Sequence, residues 1–316
     1  VRERAEAFVG VDFGATNIRA GLVDKEGRIL KRAHSRTYAS QGKEKVFSRI
    51  IKLVQNLGQN DRVDVGIACP GPVDGSTGII FDPPNLPGWK KVRLKEELEE
   101  RLDTRVHVEN DANMVAYGEW EFGAGKGVNN LLCLTLGTGV GSGLVLDGSL
   151  YTGANGFAAE LGHTIVEPNG PQCRCGARGC LESLVGAKSI EAEVERAIAS
   201  GQETILTQGN DEMTVSRISS AAAKGDSLSR KVLEKAGFYV GIAVCNAVAL
   251  LDVEMVIVGG GISKAGPLII EPIRKAVSSN LIGRRLRTLE IVGSQLGDDA
   301  GILGISAYSR ASGASK

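Results

Sequence analysis

Neither sign of charge dominates this chain: Lys+Arg and Asp+Glu both number 37 in 316 residues, and the formal net charge is zero. That balance removes the electrostatic case for nucleic acid or an anionic membrane as the main partner. No segment reaches the ~20 consecutive apolar residues of a membrane span. The longest apolar run, Gly241 to Leu251, is interrupted by Asn246 and reads as a buried helix. The opening VRERAEA is charged and leads straight into a strand, so a secretory signal is not expected. Also missing are the two phosphate loops completed by a helix N-terminus. There is no GxxxxGK[ST], and no GxGxxG follows a strand and opens a helix. No low-complexity linker divides the chain.

What is present suits one large or two modest domains, with hydrophobic residues at 42% and charged residues at 23%. Glycine numbers 42, nearly twice the usual share, and sits at junctions between elements, which implies many tight turns. Of the cysteines, Cys69, Cys133 and Cys245 lie singly in apolar runs and read as buried thiols. Cys173, Cys175 and Cys180 crowd together, which suits a metal better than disulfides and a reducing, cytoplasmic location.

Periodicity places strands at Phe8–Val11, Ile18–Val23 and Arg28–Arg32, the first two separated by the turn Asp12-Phe13-Gly14-Ala15-Thr16-Asn17. A helix is predicted from about Lys43 to Leu57, with Val46, Ile50, Leu53, Val54 and Leu57 on one face. Val63–Ala68 is a buried strand, Arg93–Leu102 a charged helix, and Arg105–Val108 a strand ending at Glu109-Asn110-Asp111, where another helix begins. Leu131–Leu136 and Gly143–Leu146 form a predicted hairpin around a Gly-rich turn. Helices follow near Ala187–Ser200, Val215–Ala223 and Ser227–Leu250. Met255–Val258 is a strand that runs into three glycines and a helix opening at Ser263. Leu289–Val292 is a last strand and Gly301–Arg310 a terminal helix of small residues. The pattern is two successive α/β units, each opened by antiparallel strands around a Gly turn. A cleft between two lobes is the natural place for a site.

Five groups of residues carry candidate chemistry. In the first turn, Asp12, Gly14, Thr16 and Asn17 form either an ordinary turn or a phosphate cradle in which Asp12 anchors hydrated Mg²⁺. Gly137, Thr138 and Gly139 open a second turn of the same kind, and the pair suggests a split phosphate clamp. Asp111, where a strand gives way to a helix, is either an N-cap or a general base at the ligand crevice. Glu160, His163 and Glu182 flank the cysteines. His163 with Cys173, Cys175 and Cys180 supplies four ligands of the type and number that a closed, structural zinc site takes. Such a site would hold the adjacent glutamates rigid. Gly260 and Gly261 after MVIV are either a plain junction or a surface for adenosine.

Taken in order, DFGATN, CPGPVD, PPNLPGW, VENDAN, LTLGTGVGSG, AAELGH, CRCGARGCLE and VIVGGGIS resemble the ROK family of sugar kinases, over essentially the whole chain. The resemblance implies an α/β fold of two RNase H-like lobes of the actin-like ATPase superfamily. A small N-terminal lobe would cover 1–109 and a larger lobe with the zinc site 110–299, with a helix at about 300–316 returning to the first lobe. It implies ATP-dependent phosphorylation of a sugar 6-hydroxyl, glucose above all, with Asp111 as general base. Asn85, Asn110, Glu160, His163 and Glu182 would hold the sugar, and Asp12, Gly14, Thr16, Asn17, Gly137, Thr138, Gly139, Gly260 and Gly261 the Mg²⁺-bound ATP. His163 would double as the fourth zinc ligand, and the protein would be a homodimer or larger homo-oligomer. Other hexoses, such as N-acetylmannosamine, mannose or fructose, stay open, because loops around Gly71, Asn85 and residues 155–159 set the choice. The family also contains sugar-sensing repressors, but only seven residues precede the first strand here, too few for a helix-turn-helix. Two departures stand out: Ala15 and Ser142 occupy positions where glycine is common, so a left-handed backbone at either would carry a cost.

Overall fold

The computed structural model describes residues 7–58, 63–83, 86–207 and 212–314. Strands β1 (Ala7–Phe13), β2 (Asn17–Asp24) and β3 (Ile29–Arg36) form an antiparallel meander. Helix α1 (Lys43–Gly58) buries the apolar face expected of it and is followed by β4 (Val65–Cys69), which runs parallel to β1. Three short strands follow, β5 (Val73–Asp74), β6 (Ile79–Phe81) and β7 (Lys91–Arg93), in an antiparallel sheet of their own. Runs of two or three residues carry no readable alternation, so this sheet has no signature in the sequence. Helix α2 (Leu94–Leu102) and β8 (Val106–Asn110) complete the first lobe, whose main sheet has the order β3-β2-β1-β4-β8. Trp89 is the aromatic centre of its core, 5.5 Å from Phe13 and 5.6 Å from Phe47 between ring centroids.

The second lobe repeats the plan. After α3 (Asp111–Phe122) come β9 (Leu131–Leu136), β10 (Val140–Leu146) and β11 (Ser149–Tyr151), again antiparallel. Helices α4 (Leu181–Val185), α5 (Ala187–Ala199), α6 (Val215–Ala223) and α7 (Ser227–Leu251) precede β12 (Met255–Gly259). Helix α8 (Pro267–Asn280) and β13 (Glu290–Gly293) then close a sheet of order β11-β10-β9-β12-β13. In both sheets three antiparallel strands are extended by two parallel ones. Helix α7 is, among the described residues, the one helix long and apolar enough to cross a membrane. It is a core helix here: Gly237 and Gly241 bring it against Pro272 and Ala276 of α8, where an added Cβ would lie 2.5 Å from either Cβ.

Two local expectations are corrected. The helix placed at Ser263 is a single 3-10 turn, Ile262–Ala265; Gly266, with φ of 60°, then redirects the chain and α8 starts on Pro267, whose missing N–H costs nothing at a first helical position. Strand β10 starts at Val140 rather than Gly143, so the second Gly turn is confined to Gly137–Gly139.

The terminal helix α9 (Ala300–Ala314) lies against β1, β4 and α3. Glycines make this possible. An added Cβ at Gly66 would sit 2.5 Å from Ser309 Oγ, and one at Gly304 2.8 Å from the Gly118 nitrogen of α3. Helix α3 itself begins where β8 of the first sheet ends and packs on β10 of the second, so Asp111 stands at the junction of the lobes.

Candidate active site

The first turn is fastened from behind. Gly14 N–H donates to Asn17 O at 2.9 Å, which closes the turn between β1 and β2. Thr37, fully buried, donates from Oγ1 to Gly14 O at 2.7 Å and from its N–H to Thr16 O at 2.9 Å. Thr16 and Asn17 are left exposed at the mouth of a cleft, with Asp12 deeper inside. Ala15 has no left-handed backbone, so the methyl group in place of the family's usual glycine is tolerated.

The second turn is held by Gly137 N–H donating to Gly139 O at 2.9 Å and Gly137 O accepting from Ala187 N–H at 2.9 Å. None of the glycines from 137 to 143 has positive φ; Gly139, Gly141 and Gly143 are there for close approach, while Gly137 faces open space. Gly139 presses on the Glu182 carboxylate. A Cβ on Gly141 would lie 2.8 Å from Ala112 Cβ, and one on Gly143 2.6 Å from Ala116 Cβ. Gly260, with φ of 86°, passes so close to Leu136 that a side chain would stand 2.6 Å from its nitrogen.

Asn110, rather than Asp111, caps α3. Asn110 Oδ1 accepts from Ala112 N–H at 2.9 Å and Asn113 N–H at 3.1 Å, so Asn110 is the N-cap of α3. Its Nδ2 donates to Gly71 O at 3.1 Å. Asp111 is thereby freed from capping; its Oδ1 accepts from the adjacent Ala112 N–H at 2.8 Å. Burial between the lobes, reinforced by the neighbouring negative charges of Asp12 and Glu160, pushes the Asp111 carboxyl up to about 7. Asp12 is likewise pushed up to about 6, by burial first; Arg19 opposes this and Asp298 adds to it. Arg19 Nη1 lies 3.8 Å from both Asp12 Oδ2 and Asp298 Oδ1.

Across the cleft, Glu160 precedes the 3-10 turn Leu161–His163. It is open to cleft water, yet the protein flanking it raises its pKa, against His163 and with Glu182. Glu182, in the first turn of α4, accepts from Val140 N–H at 3.0 Å and so ties the helix to the second Gly turn. The ligand atoms of His163, Cys173, Cys175 and Cys180 all fall within 4.8 Å of one another. Cys173 Sγ is 3.7 Å from His163 Nδ1 and Cys175 Sγ is 3.6 Å from Cys180 Sγ. Zn–S bonds of ~2.3 Å at tetrahedral angles put sulfurs about 3.8 Å apart, so the donor set fits zinc in spacing as well as chemistry. The cysteine loop is a small knuckle, with Cys173 N–H donating to Ala177 O at 2.8 Å and Gly176 in the left-handed region at φ of 97°.

One cleft of about 1750 Å³ is lined by Asp12, Gly14, Thr16, Asn17, Asn110, Asp111, Gly137, Thr138, Gly139, Glu160, His163, Glu182 and Gly260, with Cys173 and Cys175 at its edge. The exposed Gly261 and the buried Cys180 are not part of this lining. Asn85 lies outside the described residues. Thr37 and Arg19 carry no signal in the sequence, since each acts through a contact with a distant segment, and Ser142 shows there only as a replacement for glycine.

The sequence profile of the ROK family matches residues 8–311. The chain belongs to the ROK family. A glucokinase of Thermotoga maritima is 38% identical over 301 residues, covering 94% of this chain and 95% of that protein. A xylose repressor of Caldicellulosiruptor bescii is 31% identical over 312 residues, covering 96% of this chain and 78% of that one. Among solved structures, the ROK family glucokinase of Streptomyces griseus in complex with glucose and AMPPNP superposes with a TM-score of 0.86 at 34% identity, covering 96% of this ROK protein and 99% of that chain. The fold is therefore that of the ROK sugar kinases: two lobes, each built on a mixed sheet. In sequence this ROK protein is more similar to those glucokinases, at 33–38% identity, than to the xylose repressors, at 28–31%.

Proposed function

We propose that this ROK protein transfers the γ-phosphoryl group of ATP to the 6-hydroxyl of glucose. The observation that carries this reading is Asp111: a carboxylate relieved of helix capping, poised near neutrality, between two Gly turns and the Glu160–His163 segment. Sugar held by Asn110, Glu160, His163 and Glu182 would present its 6-hydroxyl to Asp111. As that oxygen attacks the γ-phosphorus, Asp111 accepts its proton, the bond from phosphorus to the β-phosphate oxygen breaks, and ADP leaves. Asp12 would hold the Mg²⁺ that accompanies ATP, which screens the phosphate charge. The N–H groups and open spaces at Gly14, Thr16, Asn17 and Gly137–Gly139 would cradle the phosphates, with Gly260 and Gly261 toward adenosine. Most of the rate enhancement is then positioning and the exclusion of water by lobe closure.

The four-ligand cluster would hold Zn²⁺ as a structural ion, which keeps the ELGH segment and α4 in register. Three thiols kept reduced for that purpose suit a cytoplasmic location. A homo-oligomer, with a dimer as its smallest form, is the expected assembly, and light scattering measures it directly.

The test is ATP- and Mg²⁺-dependent phosphorylation of glucose, mannose, fructose, N-acetylglucosamine and N-acetylmannosamine, side by side. A dominant rate on glucose is expected. Dominance of another hexose would reassign the substrate, and silence on all five from folded, zinc-loaded protein would overturn the kinase reading.

The pH profile follows from the same carboxylates. Asp111 must be ionised to accept a proton and Asp12 to hold Mg²⁺, so kcat/KM, which reports the free enzyme, should fall on the acid side. With the two groups at about 7 and about 6, the decline should begin near neutrality, run at roughly tenfold per pH unit between them and steepen towards about a hundredfold per unit below about pH 6. A profile flat down to pH 5 would remove Asp111 from the proton transfer.

A further inference from the structure

Strand β10 does two jobs on its two faces. Gly141 and Gly143 point toward α3 and let Ala112 and Ala116 approach, which seats the helix that begins with Asp111. Ser142, between them, faces the opposite way by the alternation of a strand. It is buried, with 6% exposure. Its hydroxyl donates to Ala159 O and accepts from Leu161 N–H at 3.1 Å. The two bonds bracket Glu160. They also close over a strained residue: Ala159 has φ of 66°, in the left-handed region that an alanine rarely enters. One residue further on, Gly162 lies flat against Val140, where an added Cβ would meet the Val140 carbonyl carbon at 3.0 Å.

We propose that Ser142 is a positioning residue, a clamp that holds Ala159 in its strained conformation and thereby aims Glu160 at the sugar. What Glu160 does there rests on the sugar-kinase reading; how it is held does not. A glycine or alanine at 142 would leave β10 and its packing on α3 in place but give up both bonds to the Glu160 segment. The clamp thus acts on sugar binding and leaves the phosphate side of the cleft alone, because the second Gly turn is fastened separately through Ala187 and Glu182.

Ser142→Ala separates these possibilities. The KM for the sugar should rise about tenfold with the KM for ATP within about twofold of wild type, and amide exchange in residues 157–163 should quicken on its own. Adding Ala159→Gly, which accepts that φ freely, should recover about threefold of the lost sugar affinity. Unchanged sugar KM and unchanged exchange would overturn the clamp. So would an equal rise in both KM values with a general loss of thermal stability, which would mark Ser142 as ordinary packing. Should Ser142→Ala fail to fold, Ser142→Cys keeps the volume with a much weaker hydrogen-bonding group, and the same split is required of it. If the wild-type protein phosphorylates no sugar, the kinase reading fails, and the exchange of residues 157–163 alone decides the clamp: faster exchange in the variant upholds it, equal exchange sinks it.

Discussion

Asp111→Asn is expected to lower kcat by about 10²–10⁴-fold while making the ligand-free protein more resistant to heat. The two effects have one cause. The side chain keeps its shape and its oxygen facing Ala112 N–H, but it can no longer accept a proton from the sugar. The charge that burial, Asp12 and Glu160 oppose is also gone. A carboxyl raised from 3.8 to about 7 binds its proton more tightly in the folded than in the unfolded chain. Its contribution to stability therefore falls as pH rises from the unfolded value through the folded one. Above neutrality the ionised group works against folding, by an amount that cleft water reduces to on the order of 1–2 kcal/mol. For a protein of this size that amounts to a few degrees in Tm. The variant should accordingly melt higher than wild type at pH 8, and the gap should narrow towards pH 5, where wild-type Asp111 is itself largely neutral. Sugar affinity measured by calorimetry should change only a few-fold, because Asn110, Glu160 and His163 remain. Near-normal turnover would exclude Asp111 as the base. Identical melting at both pH values would mean that its charge is well solvated in the empty cleft.

The sequence exposes those parts of this site whose chemistry is local. Cys173, Cys175 and Cys180 are close in the chain, and His163 precedes them by ten residues, so their metal-binding character survives without a fold. The Gly turns are visible for the same reason. What local pattern misjudges is why the glycines are there: Gly139, Gly141 and Gly143 serve close packing, and half of the supposed turn is strand β10. On paper the cap falls to Asp111, and only the hydrogen bonds of the folded helix assign the task to Asn110. Thr37 and Glu119 are beyond sequence reading altogether, and Ser142 shows there only as a serine in place of a glycine, without its partners. Each is a common residue made important by partners far along the chain. Glu119 is the extreme case: fully buried in α3, it accepts from Ser294 Oγ at 2.6 Å and Leu296 N–H at 2.8 Å, and so fixes the entry to α9.

Cys175→Ser should strip the metal and lower the thermal midpoint by about 10 °C, although Cys175 is an exposed residue. The exposure is what makes the expectation sharp. Exchanging a thiol for a hydroxyl at an exposed position normally shifts stability by no more than about 0.5 kcal/mol. A large loss can then come only from the ligand set, in which Cys175 joins the buried Cys173 and Cys180 to His163. Kinetics should set this variant apart from the Ser142 clamp. Without the metal, His163 no longer anchors the Glu160 segment, and α4, which starts just after Cys180, no longer holds Glu182 under Val140 N–H. Sugar and ATP should therefore both bind more weakly, whereas loss of the clamp weakens the sugar alone. Metal analysis by mass spectrometry, thermal unfolding and both KM values, measured on the variant and on chelator-treated wild type, should agree. A Cys175→Ser protein with a full complement of zinc and an unchanged midpoint would refute the structural role of the cluster, and with it the account of how the two glutamates are held.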